Sequence, residues 1–182
     1  MASGRLFLSC LIVFFVDSVL SEGCRWTQFQ LGRKNEESVL LLTKMGGHFP
    51  FGCLKEKRER LFPAEVYTEN ADVADLALEA LGYIYEIFQK DLSKVKTTWT
   101  EDLELFRNIL SRQIGQNVLC VFLQVGNKRS SNASAALKSY FEKLNAILTE
   151  KELSLCAWEI VRDEVHFNLV QLHAFLESKK KK

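Results

Sequence analysis

The three histidines are the side chains best suited to catalysis or metal binding in this sequence. They are His48, His166 and His173, and none stands in a His-Glu-x-x-His pair. No Gly-x-Ser-x-Gly turn and no glycine-rich phosphate loop accompanies them. His166 and His173 are spaced to share a helix face, but without a third ligand such a pair is more typical of a surface. We therefore predict no catalytic residue, no metal site and no cofactor, and a protein that is not an enzyme.

The cysteines indicate a different chemistry. Cys10 lies in an apolar N-terminal run, which leaves Cys24, Cys53, Cys120 and Cys156. A zinc site usually needs a close pair such as Cys-x-x-Cys, and these four are all far apart. Four cysteines in a secreted chain favour two disulfides, and spacing alone leaves all three pairings open.

The N-terminus has the pattern of a secretory signal peptide. Arg5 is followed by the apolar run from Leu6 to Val16 and then by the small residues Ser18, Ser21 and Gly23. The run of about 11 residues is shorter than the ~20 that a membrane-spanning helix needs. We predict a signal peptide over residues 1–23, with its cleavage position open, and one domain over residues 24–182. The chain is expected to be secreted, with no stable membrane insertion.

The net charge limits the kinds of partner. With 24 Lys and Arg against 23 Asp and Glu, the chain has a formal charge of +1. Such a balance gives no general attraction to nucleic acid, so binding must come from local patches. The basic tail, Lys179 to Lys182, is most simply a frayed terminus, or else a contact for sulfated glycans.

Apolar residues recur at helical spacing along most of the chain, and this pattern predicts five amphipathic α-helices. Trp26, Phe29 and the run Val39 to Leu42 supply the first. The other four stripes are Val73, Leu76, Ala80, Ile84, Ile87 and Phe88; Trp99, Leu103, Phe106, Leu110, Ile114, Val118 and Val121; Leu137, Tyr140, Phe141, Leu144, Ile147 and Leu148; and Trp158, Val161, Val165, Leu169, Leu172 and Leu176. The predicted fold is all-α.

One long loop interrupts this pattern. Pro50 and Pro63 are the two prolines of the chain, and Gly46, Gly47 and Gly52 lie close to them. Roughly 25 residues therefore separate the first helix from the second, and a crossover of this length lets successive helices run parallel, as in cytokine bundles. The prediction is a five-helix cytokine bundle with a long crossover loop between the first and second helices.

Two surface features stand out. The segment from Cys53 to Pro63 is the densest charge cluster in the chain, and a disulfide at Cys53 would preorganise it for binding through Leu54, Lys57 and Arg58. Asn132-Ala133-Ser134 is an N-glycosylation sequon ahead of the fourth helix.

Several motifs resemble those of the type I interferons. The segment from Cys156 to Arg162 reads Cys-Ala-Trp-Glu-Ile-Val-Arg, with Tyr140-Phe141 and Leu148 upstream at the family spacing. Leu31-Gly32, Leu41-Leu42, Met45, Cys53-Leu54-Lys55 and Phe62-Pro63 extend the resemblance to the first half. With four cysteines after the signal peptide, the chain is most similar to the four-cysteine forms, including that group of fish type I interferons.

The resemblance implies a function and a set of site residues. It implies disulfides pairing Cys24 with Cys120 and Cys53 with Cys156. It implies a secreted antiviral cytokine that joins two class II cytokine receptor chains and triggers kinase signalling and interferon-stimulated gene expression. The matching positions for the high-affinity receptor face are Leu54, Lys57, Arg58, Arg162, Asp163 and His166. A weaker second contact is implied on the second to fourth helices, and a monomer is expected.

Two alternatives compete with this interpretation. Another helical cytokine, of the interleukin-10 or growth-hormone kind, would share the architecture but does not account for Cys156-Ala157-Trp158. A secreted lipid-binding bundle would explain amphipathic helices and a lysine tail, but acidic residues such as Glu69, Asp72 and Asp75 oppose binding to anionic lipid.

Overall fold

The architecture is that of an all-helical bundle. The computed structural model describes residues 30–56, 59–63, 65–67, 73–90, 99–124 and 132–180, and these ranges contain no strand. Helix α1 covers residues 30–46 of the described chain. It is followed by a 3₁₀ helix, Phe51–Glu56, and by α2 (Val73–Phe88), α3 (Thr100–Gln124), α4 (Asn132–Glu150) and α5 (Leu155–Lys180). The predicted all-α class is confirmed, and the 3₁₀ helix adds a short element that the apolar spacing did not predict.

The predicted stripes supply most of the core, although Leu40 of the first stripe is 63% exposed and Ile114 of the third is only partly buried. Every member of the stripes on α4 and α5 is buried, as are the large side chains of Phe88, Trp99 and Phe106 on or beside α2 and α3. Burying one such side chain stabilises the fold by about 1.5–3 kcal/mol. Trp26 and Phe29 lie outside the described residues.

Helix α1 runs antiparallel to α5. Near the start of the described part of α1, Asn35 donates from Nδ2 to the carbonyl oxygen of Leu169 at 2.7 Å. Near its end, Oγ1 of Thr43 lies 3.0 Å from Nε2 of His166. Residue numbers therefore rise along one helix as they fall along the other.

Helices α2 and α4 run in the same direction. Ser134 donates to Glu79 at 3.0 Å, and further along both helices the ammonium of Lys90, just past α2, donates to Asn145 at 2.7 Å. Because the short turn between α4 and α5 makes those two neighbours antiparallel, α1 and α2 must be parallel. The crossover loop thus connects two parallel helices, as its length predicts.

The turn between α4 and α5 contains two residues in the left-handed backbone region. Glu152 has a φ of 50° and Leu153 a φ of 56°. The amide of Leu153 donates to the carbonyl of Leu148 at 2.8 Å, which closes the end of α4. Oγ of Ser154 then accepts the amide of Ala157 at 3.3 Å and caps the start of α5.

The crossover loop begins at Gly47, which terminates α1. Gly47 has a φ of 54°, and its amide donates to the carbonyl of Thr43 at 3.0 Å. Pro50 then precedes the 3₁₀ helix and accepts the amide of Cys53 at 2.9 Å. The chain therefore turns sharply after α1 and passes directly to Cys53.

The second half of the loop is anchored by aromatic packing. The ring of Phe62 lies 5.5 Å from Tyr67, 5.3 Å from Tyr140 and 6.1 Å from Phe167, measured between centroids. Val66 is fully buried beside it. The loop thus contributes to the core between α4 and α5.

None of the helices in the described part of the chain is both long and apolar enough to cross a membrane.

Candidate functional site

A disulfide brings the 3₁₀ helix to the start of α5. Cys53 and Cys156 are bonded, with their Cα atoms 5.2 Å apart and 103 positions between them in sequence. This is the pairing that the family resemblance implies for these two residues. Cys24 lies outside the described residues, as does the side chain of Cys120 on α3, so that second pairing stays a prediction.

The 3₁₀ helix presents apolar side chains to solvent. Phe51 is 88% exposed and Leu54 is 46% exposed, whereas Cys53 between them is 2% exposed. Leu155, next to the other half of the disulfide, is 43% exposed. The sequence predicted Leu54 as a binding residue of this surface but did not predict Phe51. Phe51 belongs to no predicted helical stripe and to none of the family motifs.

Lys57 and Arg58, which the sequence places in the same candidate site, lie outside the described residues. The residue before them is held in place, because Glu56 forms an ion pair with Lys151 in the turn between α4 and α5. The 3₁₀ helix is thus tied to this end of the bundle at Glu56 as well as at Cys53.

Arg60 connects the crossover loop to the middle of α5. Its Nη1 lies 3.0 Å from Oδ2 of Asp163 and 3.4 Å from Oε1 of Glu164, and it donates to the carbonyl of Asp163 at 3.1 Å. Its guanidinium carbon stands 4.7 Å from the ring centroid of Phe167. Arg60 is not among the residues predicted from the sequence, since nothing in the sequence distinguishes it from the other charges of its cluster.

Glu164 is buried beneath Arg60. Its Oε2 also accepts the amide of Leu61 at 3.3 Å, so one carboxylate binds both a side chain and the backbone of the loop. Burial raises the pKa of Glu164 above its ordinary value, although Arg60 and the Leu61 amide oppose this. Asp163 is half-buried and paired with Arg60, so its carboxylate is engaged within the protein.

Arg162 points into the protein. Only 4% exposed, it donates from Nε to Glu159 at 3.0 Å and from Nη1 to the carbonyl of Leu42 at 2.9 Å. Arg162, which the resemblance places in the receptor face, is thus buried in this structure and not exposed at its surface. Its position on α5 turns the side chain toward the end of α1, where a cation is favourable at the helix C-terminus. Burial raises the pKa of its partner Glu159, with Arg162 opposing that shift.

His166 lies one turn beyond Arg162 and is partly exposed. The pKa of His166 is lowered mainly by burial, and the positive charge of Arg162 lowers it further. His166 therefore favours the neutral imidazole beside Thr43. Of the six predicted receptor residues, the structure places Leu54, Asp163 and His166 at least partly at the surface.

The remaining predicted features lie elsewhere. Asn132, the sequon residue, is exposed at the first position of α4. Within the described ranges, no group of three histidine, cysteine, aspartate or glutamate side chains is placed to hold a metal ion.

The arrangement of loop and last helix can be compared with known proteins. The family model of the interferon alpha/beta domain matches residues 27–179, which is most of the chain. The chain belongs to the type I interferon family. This confirms the resemblance read from Cys156 to Arg162. Whether this interferon belongs with the four-cysteine forms stays a prediction.

Curated relatives and solved structures agree with this assignment. Human interferon alpha-21 is 32% identical over 176 residues, covering 91% of this chain and 90% of the relative. Horse interferon alpha-1 is 31% identical, covering 87% and 89%. Zebrafish interferon 2 superimposes with a TM-score of 0.68 at 28% identity, over 78% of this chain and 96% of that structure. Zebrafish interferon 1 gives a TM-score of 0.66 at 25% identity, over 79% and 92%.

The family fixes the class of function. This interferon is a cytokine with an antiviral role and a cytokine receptor as its partner, and it is not an enzyme. The alternative of an interleukin-10-like or growth-hormone-like cytokine is excluded by the family match, as is a lipid-binding bundle.

Proposed function

We propose that this interferon is secreted after removal of a signal peptide within residues 1–23. The mature chain, residues 24–182, then binds and joins two class II cytokine receptor chains as a monomer. Joining the two chains activates the kinases bound to them and leads to interferon-stimulated gene expression. The high-affinity face consists of the 3₁₀ helix and the adjoining surface of α5, with the second contact on α2, α3 and α4.

The observation that supports this most is the exposure of Phe51 beside Leu54. An aromatic side chain that is 88% exposed leaves apolar surface in water, and burying it against a partner recovers that free energy. Aromatic and aliphatic anchors of this kind commonly contribute most of the binding energy of a protein interface.

The attachment of this surface to the bundle also supports the proposal. The disulfide holds the 3₁₀ helix at Cys53 in its middle, the ion pair holds it at Glu56 at its end, and Arg60 holds the loop that follows. A surface that is ordered before binding loses less conformational entropy when the partner arrives. Lys57 and Arg58 follow the 3₁₀ helix in sequence and supply positive charge for an acidic patch on the receptor.

Asp163 and His166 have supporting parts in this face. Asp163 holds Arg60, and His166 offers a partly exposed, largely neutral imidazole next to Thr43. Leu54 supplies an apolar contact. Arg162 is buried and supports this face through its contacts with Glu159 and Leu42.

The test is binding of the purified, oxidised chain to the extracellular domains of type I interferon receptor chains. A Phe51→Ala/Leu54→Ala double variant is expected to lose about 30-fold or more in affinity for one chain, which corresponds to about 2 kcal/mol. Leu40→Ala is the matched control, because Leu40 is 63% exposed on α1 and lies outside both proposed receptor contacts. Full binding by the double variant, or none by the natively folded wild type, would reject the proposal.

Glycosylation of Asn132 is part of the proposal. The side chain is exposed on a chain proposed to pass through the secretory pathway. Protein secreted from eukaryotic cells should lose mass on treatment with an N-glycosidase, and Asn132→Gln should abolish that change. An unaltered mass in the wild type would show that the sequon is unused.

A further inference from the structure

The end of α1 approaches the guanidinium of Arg162 very closely at Gly46. A Cβ atom built on Gly46 would lie 1.9 Å from Nε, 2.0 Å from Cζ and 2.4 Å from Nη2 of Arg162. Real Cβ atoms essentially never come within 3.0 Å of a heavy atom. Any side chain at position 46 would therefore displace the guanidinium from its present place.

Other glycines of the chain differ from Gly46 in this respect. Gly47 has a left-handed φ and nothing near a built Cβ, so its role lies in the backbone. A Cβ at Gly52 or at Gly115 would also meet nothing within 4 Å. The close approach at Gly46 is thus a specific contact between α1 and α5.

The guanidinium makes two hydrogen bonds in this position. Nη1 donates to the carbonyl of Leu42 in the last turns of α1, and Nε donates to Glu159 one turn back on α5. The cation compensates the buried carboxylate and lies at the negative end of the α1 dipole. Leu42 directly precedes Thr43 on α1, and Arg162 stands one turn before His166 on α5, so the guanidinium lies close to the contact between Thr43 and His166.

We propose that the missing side chain of Gly46 leaves room for the Arg162 guanidinium beneath the receptor face. Arg162 is then a positioning residue: it holds α1 against α5 next to Thr43 and His166 and does not touch the receptor. This inference rests on the proposed function for its consequence in binding. Its structural part, the dependence of the buried guanidinium on glycine at position 46, can be tested without any receptor.

The structural part is tested by thermal unfolding of Gly46→Ala, Arg162→Ala and the double variant. Gly46→Ala should lower the midpoint by several degrees in the wild-type background, because the guanidinium loses its place. In the Arg162→Ala background the same change should leave the midpoint unchanged or raise it, since alanine favours a helix more than glycine. An equal fall in both backgrounds would overturn the inference.

A local measurement accompanies the cycle. The imidazole of His166 can be titrated by NMR in the wild type, in Gly46→Ala and in Gly115→Ala, whose added methyl group meets open space. Displacing the Arg162 charge should shift the His166 titration in Gly46→Ala and leave it unchanged in Gly115→Ala. An unshifted titration in Gly46→Ala would mean that the guanidinium has not moved, and would overturn the inference.

Receptor binding separates a positioning role from a direct contact. If Arg162 acts from below, Gly46→Ala should weaken binding to the extracellular receptor chain by about tenfold, although Phe51 and Leu54 are intact. If Arg162 were itself a contact, releasing it toward the surface would preserve or strengthen binding, and the inference would be wrong. Absence of wild-type binding would reject the proposed function, whereas the unfolding cycle would still decide whether Gly46 and Arg162 are coupled.

Discussion

Nη1 of Arg60 lies 3.4 Å from Oε1 of Glu164, although 104 positions separate the two residues in sequence. Glu164 is buried and Arg60 is partly exposed, so the pair forms a boundary between the core and the loop surface. Through it, the segment after the 3₁₀ helix is held against the helix that carries His166.

Arg60→Ala should destabilise the fold by about 1–2 kcal/mol. The change leaves Glu164 buried without its cation, and the penalty for a fully buried pair is reduced here by the exposure of Arg60 to solvent. Urea unfolding measures the loss. Lys138→Ala is the control, because Lys138 pairs with Glu142 at 3.9 Å on an exposed face of α4 and should change stability by less than about 0.5 kcal/mol. Equal effects of both changes would contradict this account.

The Cys53–Cys156 disulfide should contribute about 4–5 kcal/mol to the free energy of unfolding. It closes a loop with a sequence separation of 103, and loops of this length gain most from cross-linking in the chain-entropy model. The Cys53→Ser/Cys156→Ser variant, compared with the wild type by urea unfolding, checks this value. A loss below about 1 kcal/mol would show that the contacts of Arg60 and Phe62 hold the loop without the bond.

Glu164 should make stability depend on pH in the opposite direction to an ordinary paired carboxylate. Its folded-state pKa is raised from 4.5 mainly by burial, so its contribution is fully present below pH 4.5 and is lost as the pH rises through the folded pKa. The wild type should therefore lose stability relative to Glu164→Gln as the pH rises from 4 to 7, because glutamine does not titrate. Thermal midpoints at the two pH values measure this difference, and a constant difference would contradict the raised pKa.

Glu152→Gly should stabilise the protein by about 0.5–1 kcal/mol, because glycine adopts the left-handed φ of this position without a steric cost. Ala146→Gly is the matched control, since Ala146 is exposed within α4 and the same type of change there should cost about 1 kcal/mol. Chemical unfolding of the two variants should give shifts of opposite sign. A destabilised Glu152→Gly would mean that the side chain of Glu152 is needed in the turn.

The sequence by itself determined the helices, the core and the family. Apolar residues at a spacing of three and four define a buried face wherever the partner helices lie, so the stripes on α4 and α5 could be read without knowing the packing. Two prolines and nearby glycines excluded a continuous helix after α1 and required the crossover. The residues from Cys156 to Arg162 identified the family because their order is specific.

Only the tertiary structure decided how the charged residues of the candidate site are used. An arginine side chain is long enough to reach solvent or a buried partner, so its position on a helix does not settle its direction. Arg162 turns inward because Gly46 and the carbonyl of Leu42 meet it from α1, and Arg60 is engaged because Glu164 is buried below it. These contacts join residues about a hundred positions apart, and their free energies depend on burial and distance, which only the packed fold provides.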